Sequence, residues 1–341
     1  MAGGVGSRFW PISTDQYPKQ FIDITACGRT MIQQAYDRFA GIIDVENVWV
    51  VTSAGYKDLV LEQLPGIRPE HILLEPCMRN TAPCVAYVSW KIRIEDPEAL
   101  VVMAPSDHLV LNVPAFQDAI RRGLDFVAEG KRILTLGMTP TRPETGYGYI
   151  EQEPSSCSAD GICKVAMFRE KPDLPTAIDY IRRGGFTWNS GMFLWKVGTI
   201  VEELRLHAPQ IAEVMGRMAG SFFTEREQQT VNELFPSCEK ISIDYAVMEK
   251  TDIAYVLPAE FGWSDLGTWG SLHAVSPKDE NGNAVVGDGV KLVDCQGNMI
   301  KMPDGKQVII QGLKNCIVVE HNDTLLVCQL SEEQRIKEWH E

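Results

Sequence analysis

Apolar residues recur at two different spacings that alternate along most of the chain. Residues 30–39 place them at helical intervals, 45–51 form a short strand-like run, 56–64 return to the helical interval and 72–75 to the run. Asn80 to Pro83 then supply a capping side chain and an early proline, which open a helix running towards residue 94. The apolar run 100–104 stops at Pro105-Ser106-Asp107-His108; an amphipathic helix is predicted over 116–127 and a strand over 133–137. Strands at 164–168 and 253–257 bracket helical patterns at 174–183 and 197–235. Strand and helix in alternation predict an α/β fold with a mostly parallel sheet covered on both faces, because parallel neighbours need a crossover and the crossover helices must pack on the sheet.

Beyond Pro277 the pattern changes. Short β-rich runs at 284–286, 290–293, 308–310, 317–319 and 325–328 are separated by Gly, Asn and Asp turns. They predict a small all-β unit wound like a short β-helix, followed by a terminal helix from Ser331 with Gln334 as its capping-box partner. The 341 residues are therefore read as a larger domain over 1–277 and a smaller one over 278–341.

Composition narrows the function classes. A net charge of −14 argues against nucleic acid and anionic membrane surfaces as partners. No apolar run approaches the ~20 residues of a membrane helix and no charged-then-apolar leader is present, so a cytoplasmic protein is expected. The nine cysteines form no Cys-x-x-Cys pair. Cys157 and Cys163 flank a predicted loop, but without a second pair beside them neither zinc nor a disulfide is expected. An acidic protein that handles anions must capture them with local clusters of cations.

Such a cluster stands at the start. Gly3, Gly4 and Gly6 let the backbone turn its N–H groups onto an anion; Ser7 adds a hydroxyl, Arg8 a planar fork and Lys19 a mobile point charge. The segment lacks the Gly-Lys-Ser/Thr ending of a P-loop and the glycine spacing of a dinucleotide fingerprint, so ATPase and dehydrogenase readings lose support. Ala2-Gly3-Gly4-x-Gly6-Ser7-Arg8 with Trp10-Pro11, followed by Tyr17-Pro18-Lys19-Gln20-Phe21, resembles the opening signature of the sugar-nucleotide pyrophosphorylases, and specifically of mannose-1-phosphate guanylyltransferases. The resemblance implies a Rossmann-like nucleotidyltransferase domain, nucleotide binding by Ala2, Gly3, Gly4, Gly6, Ser7 and Arg8, and catalytic roles for Arg8 and Lys19. In that family the loop follows a first buried strand, so a short segment is expected to precede Met1 in the full protein.

Further blocks in the same order extend the resemblance over nearly the whole chain. Arg79 and Asn80, by themselves a solvated arginine and a helix cap, fall where the family reads the base. Asp107 could close a turn and Asp265 could cap the helix after it. The resemblance instead pairs them on magnesium, which is satisfied by one or two carboxylates with phosphates and water. Gly146 sits in Glu144-Thr145-Gly146-Tyr147-Gly148-Tyr149, a hairpin corner or a sugar-contacting loop. Phe168-x-Glu170-Lys171-Pro172 and Trp188-Asn189-Ser190-Gly191-Met192-Phe193 match the family closely. There Glu170 accepts from sugar hydroxyls, Lys171 holds the sugar phosphate, and Asn189 contacts a hydroxyl as donor or acceptor. The block from Ser242 to Glu249 also matches, as scaffolding.

The activity implied is transfer of GMP from GTP to mannose 1-phosphate, giving GDP-mannose and pyrophosphate with magnesium as cofactor, by a homodimer joined through its β-rich tail. Pyrophosphorylases for another hexose or base share many of these residues. A non-catalytic homologue would be expected to lack Lys19 or the two aspartates, which are present.

Overall fold

The computed structural model describes residues 1–4 and 6–339. Its first strands and helices are β1 (Val50–Ser53), β2 (Ile72–Glu75), β3 (Leu100–Met103), β4 (Leu109–Val110) and β5 (Ile133–Met138), with α1 (Met31–Asp37), α2 (Lys57–Gln63), α3 (Thr81–Glu95) and α4 (Val113–Ala128). Next come β6 (Tyr149–Gln152), β7 (Cys163–Arg169), α5 (Leu174–Arg183), β8 (Phe186–Lys196), α6 (Val197–His207), α7 (Pro209–Met218), α8 (Glu227–Leu234), β9 (Ala254–Ala259), β10 (Trp263–Ser264) and α9 (Trp269–Val275). The last strands are β11 (Ala284–Val286), β12 (Val290–Val293), β13 (Met299–Lys301), β14 (Val308–Gln311), β15 (Cys316–His321) and β16 (Thr324–Gln329). No helix among the described residues is long and apolar enough to cross a membrane.

Two compact units hold these elements. The first comprises Met1–Gly3, Arg38–Pro105 and Val110–Trp263; the second comprises Gly4–Asp37, Ser106–Leu109 and Ser264–Glu341. The division therefore does not fall at Pro277. Phe9, Met31, Leu266 and Trp269 share one buried cluster with Met299, Ile317, Val319 and Ile336, so the change of sequence style at 277 is no break in packing.

In the first unit six strands form a sheet in the order β3-β8-β5-β9-β7-β6, with β6 also paired to β8. Helices cover both faces, and β8 shows how: Phe193 and Trp195 enter the cluster that holds α6 and α7, while Met192 and Leu194 enter the one that holds α4. The sheet is mixed, however, rather than mostly parallel. Only β5–β9 pairs in parallel; β3–β8, β5–β8, β6–β7, β6–β8 and β7–β9 are antiparallel. The reason lies in residues 149–196. β6 and β7 are joined without a crossover helix and so reverse direction, and the 11-residue β8 inserts between β3 and β5 against both. Strands β1 and β2 form a separate parallel pair.

A second departure lies in the β6–β7 connection, where Cys157 and Cys163 are joined by a disulfide with S–S 2.05 Å. The turn closed by Gly161 N donating to Ser158 O, 3.0 Å, brings the two cysteines together, a proximity that cysteine spacing alone does not reveal.

In the second unit β11, β13 and β15 form a parallel ladder with β16 antiparallel at its edge, and β12 pairs in parallel with β14. Inside it Asn298 donates to Asn283 Oδ1 (2.8 Å) and accepts from Cys316 N (2.9 Å), which satisfies buried backbone between successive turns. The tail Leu330–Glu338 is a 3-10 helix with no side-chain cap, so the predicted capping box does not form. Glu333 instead accepts from Gly270 N at 2.6 Å, near the start of α9, and Ile336 is fully buried.

Glu75, the last residue of β2, is 8% exposed, and its Oε1 has no hydrogen-bond partner. Burial pushes this carboxyl up to about 7. With the folded value above the unfolded one, the folded state holds the proton more tightly; this favours folding at low pH and is lost as pH rises towards 7. Glu75→Gln should therefore leave the melting temperature nearly unchanged at pH 5 and raise it by a few degrees at pH 8. Thermal melts at the two pH values check this, and an equal shift at both would refute it.

Candidate active site

Glycine at position 6 is required twice over. Its φ of 60° is left-handed, and a Cβ there would lie 2.7 Å from Lys19 Cβ and 3.1 Å from Ser13 Oγ. Gly6 caps the short 3-10 turn Ser7–Phe9, whose Phe9 is buried edge-on against Trp269 with ring centroids 4.9 Å apart. This fixes Ser7 and Arg8 at the rim of a pocket within the second unit that also takes in Lys19, Asp107 and Asp265. At Gly3 and Gly4 a Cβ would meet nothing within 4 Å, so their backbone stays open to a ligand. Ala2, by contrast, is buried in the first unit, where it donates to Val51 O at 2.8 Å.

Lys19 is the most constrained group in the pocket. Its side chain is 6% exposed, and its ammonium reaches Asp107 Oδ2 at 2.9 Å, Asp265 O at 2.8 Å and Leu266 O at 3.1 Å. A lysine has three N–H donors, and all three are placed. Burial alone would raise the Asp107 carboxyl, but Lys19 and then His108 outweigh it and hold it below the usual carboxylate range. Arg8 is exposed and, among the described residues, engaged by no hydrogen bond or ion pair, which leaves its fork available. Asp265 does not cap the helix that follows: Thr268 does so, in a reciprocal pair with Ser271, while Asp265 Oδ1 accepts from Gly267 N at 3.0 Å.

Asp107 and Asp265 thus present hard oxygen ligands to one pocket. Among the described residues no group of three or more His, Cys, Asp or Glu side chains is arranged to hold a metal ion. The donor set suits a divalent cation that takes its remaining ligands from phosphate and water, as magnesium does. His108, beside Asp107, also lines the pocket, and so does Lys337 from the C-terminal 3-10 helix, which the sequence did not point to. A lone lysine in a polar tail carries no local signal, and its placement follows from the burial of Ile336 beside it.

A second cluster lies wholly in the first unit. Glu170 follows the end of β7 with its side chain 8% exposed, and pairs with the ammonium of Lys171, whose own φ is 45°. Burial would lower the Lys171 ammonium, but Glu170 and then Asp244 outweigh it and raise it. Asn189, in β8, donates from Nδ2 to Asp244 Oδ1 at 3.0 Å. A Cβ on Gly148 would lie 2.5 Å from Glu170 Oε2 and 3.2 Å from Asn189 Cβ, so the glycine that lets these two side chains close up is Gly148. Gly146 lies outside that contact, its N donating to Glu144 Oε1 at 3.1 Å. Asp244 and Gly148 are therefore the members of the cluster that sequence reasoning did not single out. Asn80, at φ 67°, accepts from Thr81 N at 2.8 Å as the cap of α3, and Arg79 donates to Pro236 O.

Two substitutions test the first pocket directly. Gly6→Ala should weaken binding of inorganic pyrophosphate about tenfold or more, since the added carbon displaces Lys19 and misplaces the loop. Lys337→Ala should weaken it about two- to fivefold, as for an exposed charge, with no change in melting temperature. Isothermal titration calorimetry with thermal melts reads both; full pyrophosphate affinity in Gly6→Ala would show that the close approach to Lys19 is dispensable.

The nucleotidyl transferase family matches residues 1–282. The alginate biosynthesis protein AlgA of Pseudomonas fluorescens is 38% identical over 99% of this chain and 70% of its own. The mannose-1-phosphate guanylyltransferase of Klebsiella pneumoniae is 36% identical over 99% of this chain and 71% of its own. A crystal structure from Thermus thermophilus, described as a mannose-1-phosphate geranyltransferase, is 30% identical and superposes with a TM-score of 0.90 over 99% of this chain and 96% of that one. On the extent of these matches, this chain belongs to the nucleotidyl transferase family.

Proposed function

We propose that this chain is a mannose-1-phosphate guanylyltransferase, which transfers GMP from GTP to mannose 1-phosphate and releases pyrophosphate. The observation that carries the reading is the second unit's pocket, where Arg8, Lys19, Asp107 and Asp265 meet beside the turn at Gly6. That is a set suited to a triphosphate. The choice of GTP and mannose 1-phosphate is supported by the relatives' names and by the sugar cluster Glu170, Lys171 and Asn189.

In this reaction an oxygen of the sugar phosphate bonds to the α-phosphorus of GTP, the bond from that phosphorus to the bridging oxygen breaks, and pyrophosphate leaves. The attacking phosphate has a second pKa of about 6 and is largely ionised at neutral pH, so no side chain need remove a proton. Arg8 and Lys19 neutralise the triphosphate and its developing charge, and Lys171 holds the sugar phosphate. Lys19 reaches a phosphate by exchanging its bond to Asp107, while its two carbonyl bonds keep the 265–266 turn in place. Asp107 and Asp265 would hold magnesium, which when bound supplies further charge neutralisation on phosphate oxygens. Arg79 and Asn80 are assigned to the base. The β-rich tail is read as a short β-helix that also joins two copies of the chain, with exposed Ile309 (74%), Leu325 (57%) and Val327 (51%) in support.

Pyrophosphate release with magnesium present, each of four nucleoside triphosphates crossed with mannose, glucose and N-acetylglucosamine 1-phosphates, tests the reading. Strong turnover is expected only for GTP with mannose 1-phosphate, and Lys19→Met should lower it on the order of 100 to 1000-fold. Turnover only with another pair would keep the chemistry and overturn the specificity.

A further inference from the structure

Counting donors and acceptors in the sugar cluster exposes a shortfall. The Oδ1 of Asn189 accepts from Gly191 N–H at 3.1 Å and faces the fully buried Thr135 hydroxyl at 3.2 Å, whose one proton it shares with Met192 O at 3.1 Å. The side-chain amide cannot be reversed, because its NH2 would then face the Gly191 N–H. Of the two Nδ2 hydrogens one goes to Asp244 Oδ1 at 3.0 Å. The Asn189 Oδ1 is thus turned onto buried groups of β5 and β8, and what Asn189 offers a ligand beside Asp244 is its second Nδ2 hydrogen. A sugar hydroxyl that accepts this remaining hydrogen bond has its own proton still to place.

Two carboxylates lie next to that donor. Glu170 is committed on one oxygen to Lys171, and its other oxygen lies against Gly148. Asp244 is differently placed. It opens the π-helical turn Asp244–Met248, a form frequent at functional sites, and that turn holds its carboxylate against the Asn189 amide. Asn189 donates to this carboxylate, the Ser242 hydroxyl and the residue's own backbone N–H lie near it, and a carboxylate offers about four acceptor positions. Capacity for a further donor remains on it. The charged and titratable groups around it are Glu170, Lys171 and Tyr245.

We propose that the Asp244 carboxylate accepts a hydrogen bond from a hydroxyl of the bound sugar, and that Asn189 serves that hydroxyl only as a donor. This makes Asp244 a determinant of sugar specificity, and it rests on the reading of the cluster as a sugar-phosphate site. Burial and the neighbouring charge of Glu170 push the Asp244 carboxyl up to about 6, consistent with an acceptor kept short of water before the sugar arrives. A site built to bond a hydroxyl rejects the analogue lacking it, because the buried acceptor is then left unpaired.

The test compares wild-type protein and Asp244→Asn in pyrophosphate release from GTP, using mannose 1-phosphate and analogues with each ring hydroxyl removed in turn. In the wild type one analogue should lose about 10- to 100-fold in kcat/KM, the range for one hydrogen bond to a charged group. In Asp244→Asn, mannose 1-phosphate should fall towards that level, the penalty for that one analogue should vanish, and KM for GTP should not move. A merely structural role would depress all analogues equally. Should Asp244→Asn fail to fold by circular dichroism, Asp244→Ser is read in the same way. An active wild type whose analogue penalties are identical in the variant overturns this inference alone; a wild type silent with every sugar phosphate overturns the functional reading and this inference with it.

Discussion

The second unit's pocket depends on the three bonds of one ammonium group. A lysine buried without partners would lose its charge, but Lys19 is matched donor for donor by Asp107 and by the carbonyls of Asp265 and Leu266. The match ties together residues from three distant stretches of chain. It also explains the 265–267 turn, where Leu266 adopts a left-handed φ of 43° that an apolar side chain ordinarily avoids. Such backbone is retained when surrounding bonds over-determine it, here the Ser264 hydroxyl accepting from Leu266 N (3.1 Å) and Asp265 Oδ1 accepting from Gly267 N (3.0 Å).

The same bond pattern shows how a chain of net charge −14 can receive anionic substrates. Its cations are held in two ways. Arg8 stands exposed and, among the described residues, unengaged, whereas Lys19 and Lys171 each rest on a carboxylate beforehand. Binding an anion at a paired lysine is an exchange of partners, which returns less free energy than capture by a free cation but keeps the side chain placed. The free guanidinium and the paired ammonium groups therefore contribute differently, the first to affinity and the others to geometry.

Legibility in the sequence followed the reach of each signal. Local periodicity located β3, β5 and β9 and the helices between them, because burial on both faces of a sheet imposes it. It carries no information on pairing direction. It also passed over β8 as a strand, since Asn189, Ser190 and Gly191 interrupt the apolar run of an element that is otherwise buried. The break in composition at Pro277 was real as composition and misleading as packing, for Trp269 and Ile317 share a core. Within the second unit's pocket, Arg8, Lys19, Asp107 and Asp265 were legible as motif residues, and the fold gathers them. Lys337 and Asp244 were not: one reaches its place through a buried neighbour, the other through contacts with β8 and the end of β7. Cys157 and Cys163 were seen as flanking a loop, but the turn that joins them was not.

The arrangement bears finally on what limits the proposed reaction. His108 lines the pocket with its Nε2 3.9 Å from Asp107 Oδ1, the position in which another enzyme would keep a base. Here a base has no proton to remove, because the attacking phosphate arrives ionised. The work left to the protein is to hold highly charged groups in line without reorganising as charge shifts between them. Rigidity then matters more than basicity. The pocket's unusual features all serve it: the contact that only glycine allows at Gly6, the saturated ammonium of Lys19, and the left-handed turn at Leu266. A lesion at Gly6 or Leu266 would act through geometry while leaving the ionisable groups of the site intact.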